Sequence, residues 1–173
     1  MTDSIKSPAA VLGCGGWGTA LAVHLASTGR PVRLWGRDPV LVSRLTENRI
    51  NSVYLPDVVL PELVLPMGSI RTALSGARYV VIAVPSHGVR DVVRQIAVYI
   101  EPDTTIISAV KGIEETTLLR MSEVIQEEVV ASCSIVVLSG PSFAVEVARC
   151  LPTAVVVSGD SEDAVASVQH DFR

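Results

Sequence analysis

Residues Gly13-Cys14-Gly15-Gly16-Trp17-Gly18 satisfy G-x-G-x-x-G, a spacing suited to a main chain that wraps a pyrophosphate. Gly13 would allow the tight turn, Gly15 would let the backbone approach the phosphates, and Gly18 would let the next helix pack closely on the preceding strand. The phosphates would then sit at a helix amino terminus, where unpaired N–H groups and the helix dipole favour negative charge. The hexapeptide alone is common, but here an apolar run (9–12) precedes it and a stretch with helical spacing (19–27) follows. In that context a dinucleotide site is a better reading than a glycine-rich turn that binds nothing.

Four further clusters fall where strands are expected to end. After the run 32–35 come Gly36-Arg37-Asp38-Pro39. An acidic residue here would bind the ribose hydroxyls of NAD, whereas an arginine can accept the 2′-phosphate of NADP. Asp38 before Pro39 makes a good helix cap and first-turn pair. That leaves Arg37 for the phosphate and favours NADP without excluding NAD. Pro85-Ser86-His87 is a compact turn in which His87 reads as structural rather than as a proton shuttle. Lys111-Gly112-Ile113-Glu114 can place an ammonium at the nicotinamide end of the cleft, to pair with a phosphate or polarise a carbonyl. A solvated surface lysine is the plain alternative. In Ser139-Gly140-Pro141-Ser142-Phe143-Ala144, Pro141 is expected at the first position of a helix, with Ser142 and nearby N–H groups as a second anion site. No G-x-S-x-G elbow, H-E-x-x-H or Cys/His cluster occurs, so acyl transfer and metal catalysis are not expected, and no metal site is assigned.

The elements that must carry these clusters alternate. Strand-like runs at 9–12, 32–35, 79–84, 105–110, 135–138 and 153–157 are separated by helical patterns at 19–27, 40–47, 89–99, 118–130 and 143–149. Such alternation predicts a doubly wound, mostly parallel α/β sheet of Rossmann-like type, with helices on both faces. Segment 51–66 breaks the rhythm with Pro56, Pro61 and Pro66, and is expected to be an extended excursion over the sheet. Gly159-Asp160-Ser161 predicts a turn and helix cap, with a helix beginning at 164–168. The 173 residues amount to about one domain, and the chain reads as a piece of a longer protein. Apolar residues at 49% against 18% charged exclude a disordered segment, and 4% aromatics leave the core to Val, Ile, Leu and Ala. A net charge of −4 without a basic cluster argues against nucleic acid. Three scattered cysteines, a polar amino terminus (1–8) and no apolar run near the ~20 residues of a membrane span point to a reducing, cytoplasmic setting without a membrane span.

Taken together, the blocks 13–20 (GCGGWGTA), 34–38 (LWGRD), 51–56 (NSVYLP), 83–86 (AVPS), 111–114 (KGIE), 139–146 (SGPSFAVE) and 152–154 (PTA) resemble the NAD(P)-dependent sn-glycerol-3-phosphate dehydrogenase family, bacterial type. They run in the family order over nearly the whole chain. The resemblance implies interconversion of glycerol 3-phosphate and dihydroxyacetone phosphate by hydride transfer, which supplies phospholipid precursor. It implies cofactor contacts at Gly16, Trp17, Arg37, Tyr54 and Ala144, and a lysine, Lys111, that reaches both cofactor and substrate. Gly140 and Ser142 are similar to substrate-loop positions. Two departures stand out. Cys150 replaces the family's usual glycine before Leu-Pro-Thr, and the helical second domain, with its general-base lysine in Gly-Gly-x-x-Lys-Asn, has no counterpart here. The expectation is therefore a single cofactor-binding domain (1–173) with no catalytic base of its own and a small phosphorylated substrate. A homodimer is considered only for the full-length protein. Rival expectations are the cofactor half of a dehydrogenase for hydroxyacyl or sugar-nucleotide substrates, and a nucleotide-sensing module without catalysis.

Overall fold

Runs with no polar alternate become strands buried on both faces in the computed structural model, which describes residues 6–130 and 132–173. In chain order the elements begin with β1 (Ala9–Leu12), α1 (Gly16–Ser27), β2 (Val32–Trp35), α2 (Pro39–Asn48) and β3 (Ile50–Asn51). Next come β4 (Leu55–Val59), β5 (Val64–Met67), α3 (Ile70–Leu74), β6 (Tyr79–Ile82), α4 (Val89–Ile96) and β7 (Thr105–Ser108). The last are α5 (Met121–Glu128), β8 (Ser134–Ser139), α6 (Ala144–Ala148), β9 (Val156–Gly159) and α7 (Glu162–Asp171). The main sheet has the order β5-β2-β1-β6-β7-β8-β9, parallel except for β9 against β8. From β1 the chain moves outward through β2 to β5, then crosses back to β6 and continues the other way. The β1/β6 boundary is thus the switch point at which ligands of such sheets bind.

Alternate residues of each central strand feed two separate cores. Ala9, Val11, Tyr79 and Val81 pack with α1, α6 and α7 on one face. Ala10, Leu12, Val80 and Ile82 pack with α3, α4 and α5 on the other. The expected doubly wound, mostly parallel sheet with helices on both faces is therefore what forms. Helix α7 is held at the amino ends of the strands: Asp171 accepts from Arg30 Nη2 at 2.5 Å and from the Tyr79 hydroxyl at 2.7 Å. Arg30 is only 3% exposed, so removing Asp171 would leave a buried charge without its partner.

Several local expectations are corrected. Segment 51–66 does not simply run over the sheet. Its first part folds as the antiparallel pair β3–β4, and its end joins the sheet as edge strand β5. Pro66 is tolerated there because Leu63 and Met67 direct their carbonyls to β2, so the backbone position of Pro66 faces the open edge. The helix expected over 118–130 begins only at Met121. Residues 113–120 form a turn instead: Glu114 N–H donates to the Leu119 carbonyl and Leu118 takes a positive φ of 59°. Pro141 is not a first helical residue, since α6 starts at Ala144 with Phe143 as its cap. The final strand lies at Val156–Gly159 rather than 153–157, because residues 153–155 first pass beside Gly140 before pairing begins. Helix α3 had no counterpart in the expected elements. The expectation of a polar leader-free amino terminus falls partly on residues 1–5, outside the described residues.

Candidate functional site

Parallel register lines up the carboxyl ends of the strands, so Gly13, Gly36, Ala83 and Ala109 stand in one row along a single edge of the sheet. Gly13 has φ +116°, and a Cβ there would stand 2.7 Å from the Ala83 carbonyl oxygen. Only glycine combines that dihedral with so close a pass over β6. A Cβ on Gly18 would lie 1.8 Å from the Gly13 oxygen, so α1 can sit this low on β1 only without a side chain at that position. Gly15, the residue capping α1, is different: nothing lies within 4 Å of its Cβ position. Two glycines are thus required by the protein's own packing, while the third borders open space. The N–H groups of the first turn of α1 lack intrahelical acceptors and can bind an anion there. The residues present fit a dinucleotide pyrophosphate.

Arg37 follows β2 on the same edge, is exposed, and makes no hydrogen bond or ion pair among the described residues. Asp38 caps α2 by accepting from Val40 N–H at 2.9 Å, as expected. Trp17 is half-buried, and its indole N–H donates to the Ala109 carbonyl at 2.9 Å, tying the first turn of α1 to the end of β7. Its main chain remains at the helix start. Tyr54 is 56% exposed, while its carbonyl packs against Gly16. Asn51 had no functional assignment from the sequence, yet it is fully buried and hydrogen-bonded to Cys14, Thr19 and Tyr54. Its signals in the sequence were its place at the head of the NSVYLP block and in an otherwise irregular, proline-broken stretch, neither of which names a role for it. The Cys14 thiol is pushed up in pKa, chiefly by burial, and is not poised as a nucleophile.

At the other end of the edge, Lys111 Nζ donates to the Gly140 carbonyl at 2.8 Å. The structure thereby brings together the turns after β7 and β8. Ser142 turns its N–H and hydroxyl toward the same carbonyl, at 3.0 and 3.4 Å, and Ala144 opens α6 nearby. Helix α6 is five residues long and opens at Ala144, so Ser142 and its N–H lie in the turn before it. The base of the Lys111 turn is clamped. Arg90 grips Glu114 with two parallel bonds of 2.8 and 2.7 Å, and Thr117 donates to the same carboxylate at 2.5 Å. Arg90, then Thr117, hold Glu114 at a pKa of about 2, ionised through the neutral range. His87 is exposed in a short helical turn after β6. A groove of about 700 Å³ lies beside α1 and is lined largely by apolar groups such as Leu21, Leu138, Val157 and Phe172, a poor match for a pyrophosphate. Among the described residues no cluster of three metal-binding side chains exists, and no helix is long and apolar enough to cross a membrane.

The family described as NAD-dependent glycerol-3-phosphate dehydrogenase N-terminus matches residues 8–165. A glycerol-3-phosphate dehydrogenase [NAD(P)+] of Desulfotalea psychrophila is 45% identical over 168 residues, covering 94% of this chain and 50% of the relative. One from Clostridium tetani is 42% identical, covering 93% and 46%. The crystal structure of a glycerol-3-phosphate dehydrogenase from Coxiella burnetii superposes with a TM-score of 0.92 at 32% identity, over 98% of this chain and 52% of that one. The chain spans about half the length of the curated relatives it matches.

Proposed function

Since this chain belongs to the family of NAD-dependent glycerol-3-phosphate dehydrogenase amino-terminal domains, we propose that it is the cofactor-binding half of an enzyme interconverting glycerol 3-phosphate and dihydroxyacetone phosphate. The observation that carries this is the glycine turn at the β1/β6 switch point, packed tight at Gly13 and Gly18 and open at Gly15. Bound NADPH or NADH would supply the carbon that gives or takes the hydride. Gly13, Gly15, Gly16, Trp17 and Gly18 would hold the pyrophosphate through the main chain at the start of α1. Arg37 would pair with a 2′-phosphate, which favours NADP, and Tyr54 and Ala144 would border the cofactor.

Lys111 has the central part in the chemistry. Its ammonium, now on the Gly140 carbonyl, would exchange that acceptor for the substrate oxygen that alternates between hydroxyl and carbonyl. Positive charge beside that oxygen favours the form in which electron density builds on it. Gly140 and Ser142 would shape the adjoining substrate loop. The proton would be taken by a lysine outside residues 1–173, in the helical half that completes the relatives, which would also grip the substrate phosphate. Supply of phospholipid precursor, a cytoplasmic location and a homodimeric full-length enzyme belong to the same proposal.

The test is calorimetry of the chain with NADPH and NADH, followed by an assay for reduction of dihydroxyacetone phosphate. Both cofactors should bind, NADPH more tightly, and reduction should be undetectable. General acid–base help alone is worth roughly 10²–10⁴-fold, and the lost substrate grip removes positioning besides. Absence of binding by either cofactor would refute the site. Robust turnover by residues 1–173 would refute the division of roles.

A further inference from the structure

Asn51 is 0% exposed, and its side-chain amide is engaged on both sides. Nδ2 donates to the Cys14 carbonyl at 2.9 Å and to the Thr19 hydroxyl at 2.8 Å, while Oδ1 accepts from the Tyr54 N–H at 3.2 Å. The partners fix which way round the amide sits: a carbonyl can only accept and a main-chain N–H can only donate. Three elements therefore meet on one residue. They are the glycine turn at Cys14, helix α1 at Thr19, and the β3–β4 hairpin at Tyr54.

The Cys14 contact has a geometric consequence. The Cys14 carbonyl and the Gly15 N–H belong to one planar peptide unit, and it is trans, so the two groups point in opposite directions. Holding the carbonyl inward on Asn51 holds the Gly15 N–H outward, away from the core. The Gly15 Cβ position also meets nothing within 4 Å, so the space around this residue is open. A peptide next to a glycine otherwise flips with little steric resistance, because glycine accepts both orientations. The same amide also fixes Tyr54, whose carbonyl oxygen stands 3.0 Å from the Cβ position of Gly16 and so forms one wall of the turn.

We propose that Asn51 is a positioning residue of the dinucleotide site: by hooking the Cys14 carbonyl it aims the Gly15 N–H at the cofactor pyrophosphate. This rests on the dinucleotide reading given above. A side chain that merely filled the core would leave the direction of one N–H bond unaffected when replaced by an isostere. Asn51→Asp is that isostere. It keeps an oxygen for the Tyr54 N–H but sets a second oxygen against the Cys14 carbonyl. Thr19→Val removes one amide partner, together with the longer 3.5 Å contact of the Thr19 hydroxyl on the Cys14 carbonyl, while leaving the 2.9 Å hook of Asn51 on that carbonyl in place.

The experiment measures residual dipolar couplings of the Gly15 N–H in the ligand-free chain, together with affinity for NADPH, NADH and inorganic pyrophosphate. In Asn51→Asp the Gly15 coupling should change, and all three ligands should bind roughly 10- to 100-fold more weakly, the worth of a charge-assisted hydrogen bond. The NADPH-to-NADH ratio should persist, because Arg37 is untouched. Thr19→Val should keep the parent coupling and near-parent affinity. An unchanged Gly15 coupling in Asn51→Asp overturns the proposal, whatever binds. Equal losses in Thr19→Val and Asn51→Asp overturn it too, by placing the effect in core packing. Should Asn51→Asp fail to fold, Asn51→Ser, uncharged and too short to span both partners, gives the same comparison. Failure of the parent chain to bind any dinucleotide would instead sink the functional reading, and the Gly15 coupling would still decide this one.

Discussion

Gly15→Ala should separate folding from binding in a way that its neighbours cannot. Gly15 has φ −70° and ψ −179°, a conformation open to any L-residue, and its Cβ position has nothing within 4 Å. Two small terms then oppose each other. Alanine reduces the freedom of the unfolded chain and stabilises by about 0.4–1 kcal/mol. Alanine is also a poorer helix cap than glycine, which costs several tenths to about 1 kcal/mol. The sum is near zero, so at ~2–4 °C per kcal/mol for a chain of this size the melting temperature should stay within roughly 2 °C of the parent. The methyl group nevertheless occupies the space that a phosphate oxygen would need to reach the Gly15 and Gly16 N–H groups. Losing one such contact weakens NADPH by roughly 10- to 100-fold.

Gly18→Ala supplies the contrast. Its Cβ would stand 1.8 Å from the Gly13 oxygen, so α1 must move outward by over an ångström or β1 must deform. Overpacking of this kind costs about 1–3 kcal/mol or more, a fall of at least ~2 °C and as much as ~12 °C. Thermal melting and calorimetry on the two variants and the parent are sufficient. A Gly15→Ala protein that binds NADPH like the parent would show that the phosphates do not approach Gly15. A Gly18→Ala protein that melts like the parent would show that the close approach of α1 is not required.

Two further substitutions probe the end of β2 and the end of α6. Arg37→Ala should weaken NADPH more than NADH, by roughly 10- to 100-fold in the ratio, since the proposed pairing of this exposed arginine is a charge-assisted contact with the 2′-phosphate that NADH lacks. Equal losses for both cofactors, measured by titration, would remove Arg37 from that role. Cys150→Gly should stabilise the chain. Cys150 lies just past α6 with φ 54°, its N–H on the Val147 carbonyl and the Leu151 N–H on the Glu146 carbonyl, an arrangement that usually carries glycine. Relief of about 1–2 kcal/mol of left-handed strain, less up to ~1 kcal/mol of extra unfolded-state freedom, leaves a gain of up to ~2 kcal/mol, a rise of up to ~8 °C. A fall in melting temperature would mean that this cysteine is not strained.

Cys150 also illustrates what a sequence departure can mean physically. Against the family pattern it stood out as a replaced glycine, and the structure places it at the one position of a helix-ending motif where a side chain is disfavoured. The central strands were legible for a simpler reason. A strand buried on both faces is mostly apolar, so β1 and β6 are continuous apolar runs that need no partner to be recognised, and β7 keeps Ile106 and Ile107 between a buried Thr105 and Ser108. Edge strand β5 has no such signature. It includes Pro66, is exposed at Leu65, and exists because β2 offers a free side to pair with. The helix expected from Leu118 failed similarly: its apolar residues fit a helical period, but the backbone of the Lys111–Glu114 turn captured Leu118 and Leu119 first.

The candidate site divides along the same line between local and long-range causes. The glycine turn is local: three glycines, a strand before and a helix after fix its shape within about ten residues, so spacing alone reveals it. Lys111 and Gly140 were each legible as residues at strand ends, but their 2.8 Å contact depends on β7 and β8 being neighbours, which no window of sequence states. Asn51 lies furthest from legibility. It is 37 residues from Cys14, in a stretch without periodicity, and its amide could as well have faced water. Burial is what gives it meaning. A fully buried amide must find partners, and here those partners are the carbonyl behind the turn, a hydroxyl on α1 and the N–H of the covering hairpin. The pattern G-x-G-x-x-G therefore marks the turn at which the proposed pyrophosphate would approach. Which way the turn's N–H groups face is decided by a residue outside the pattern.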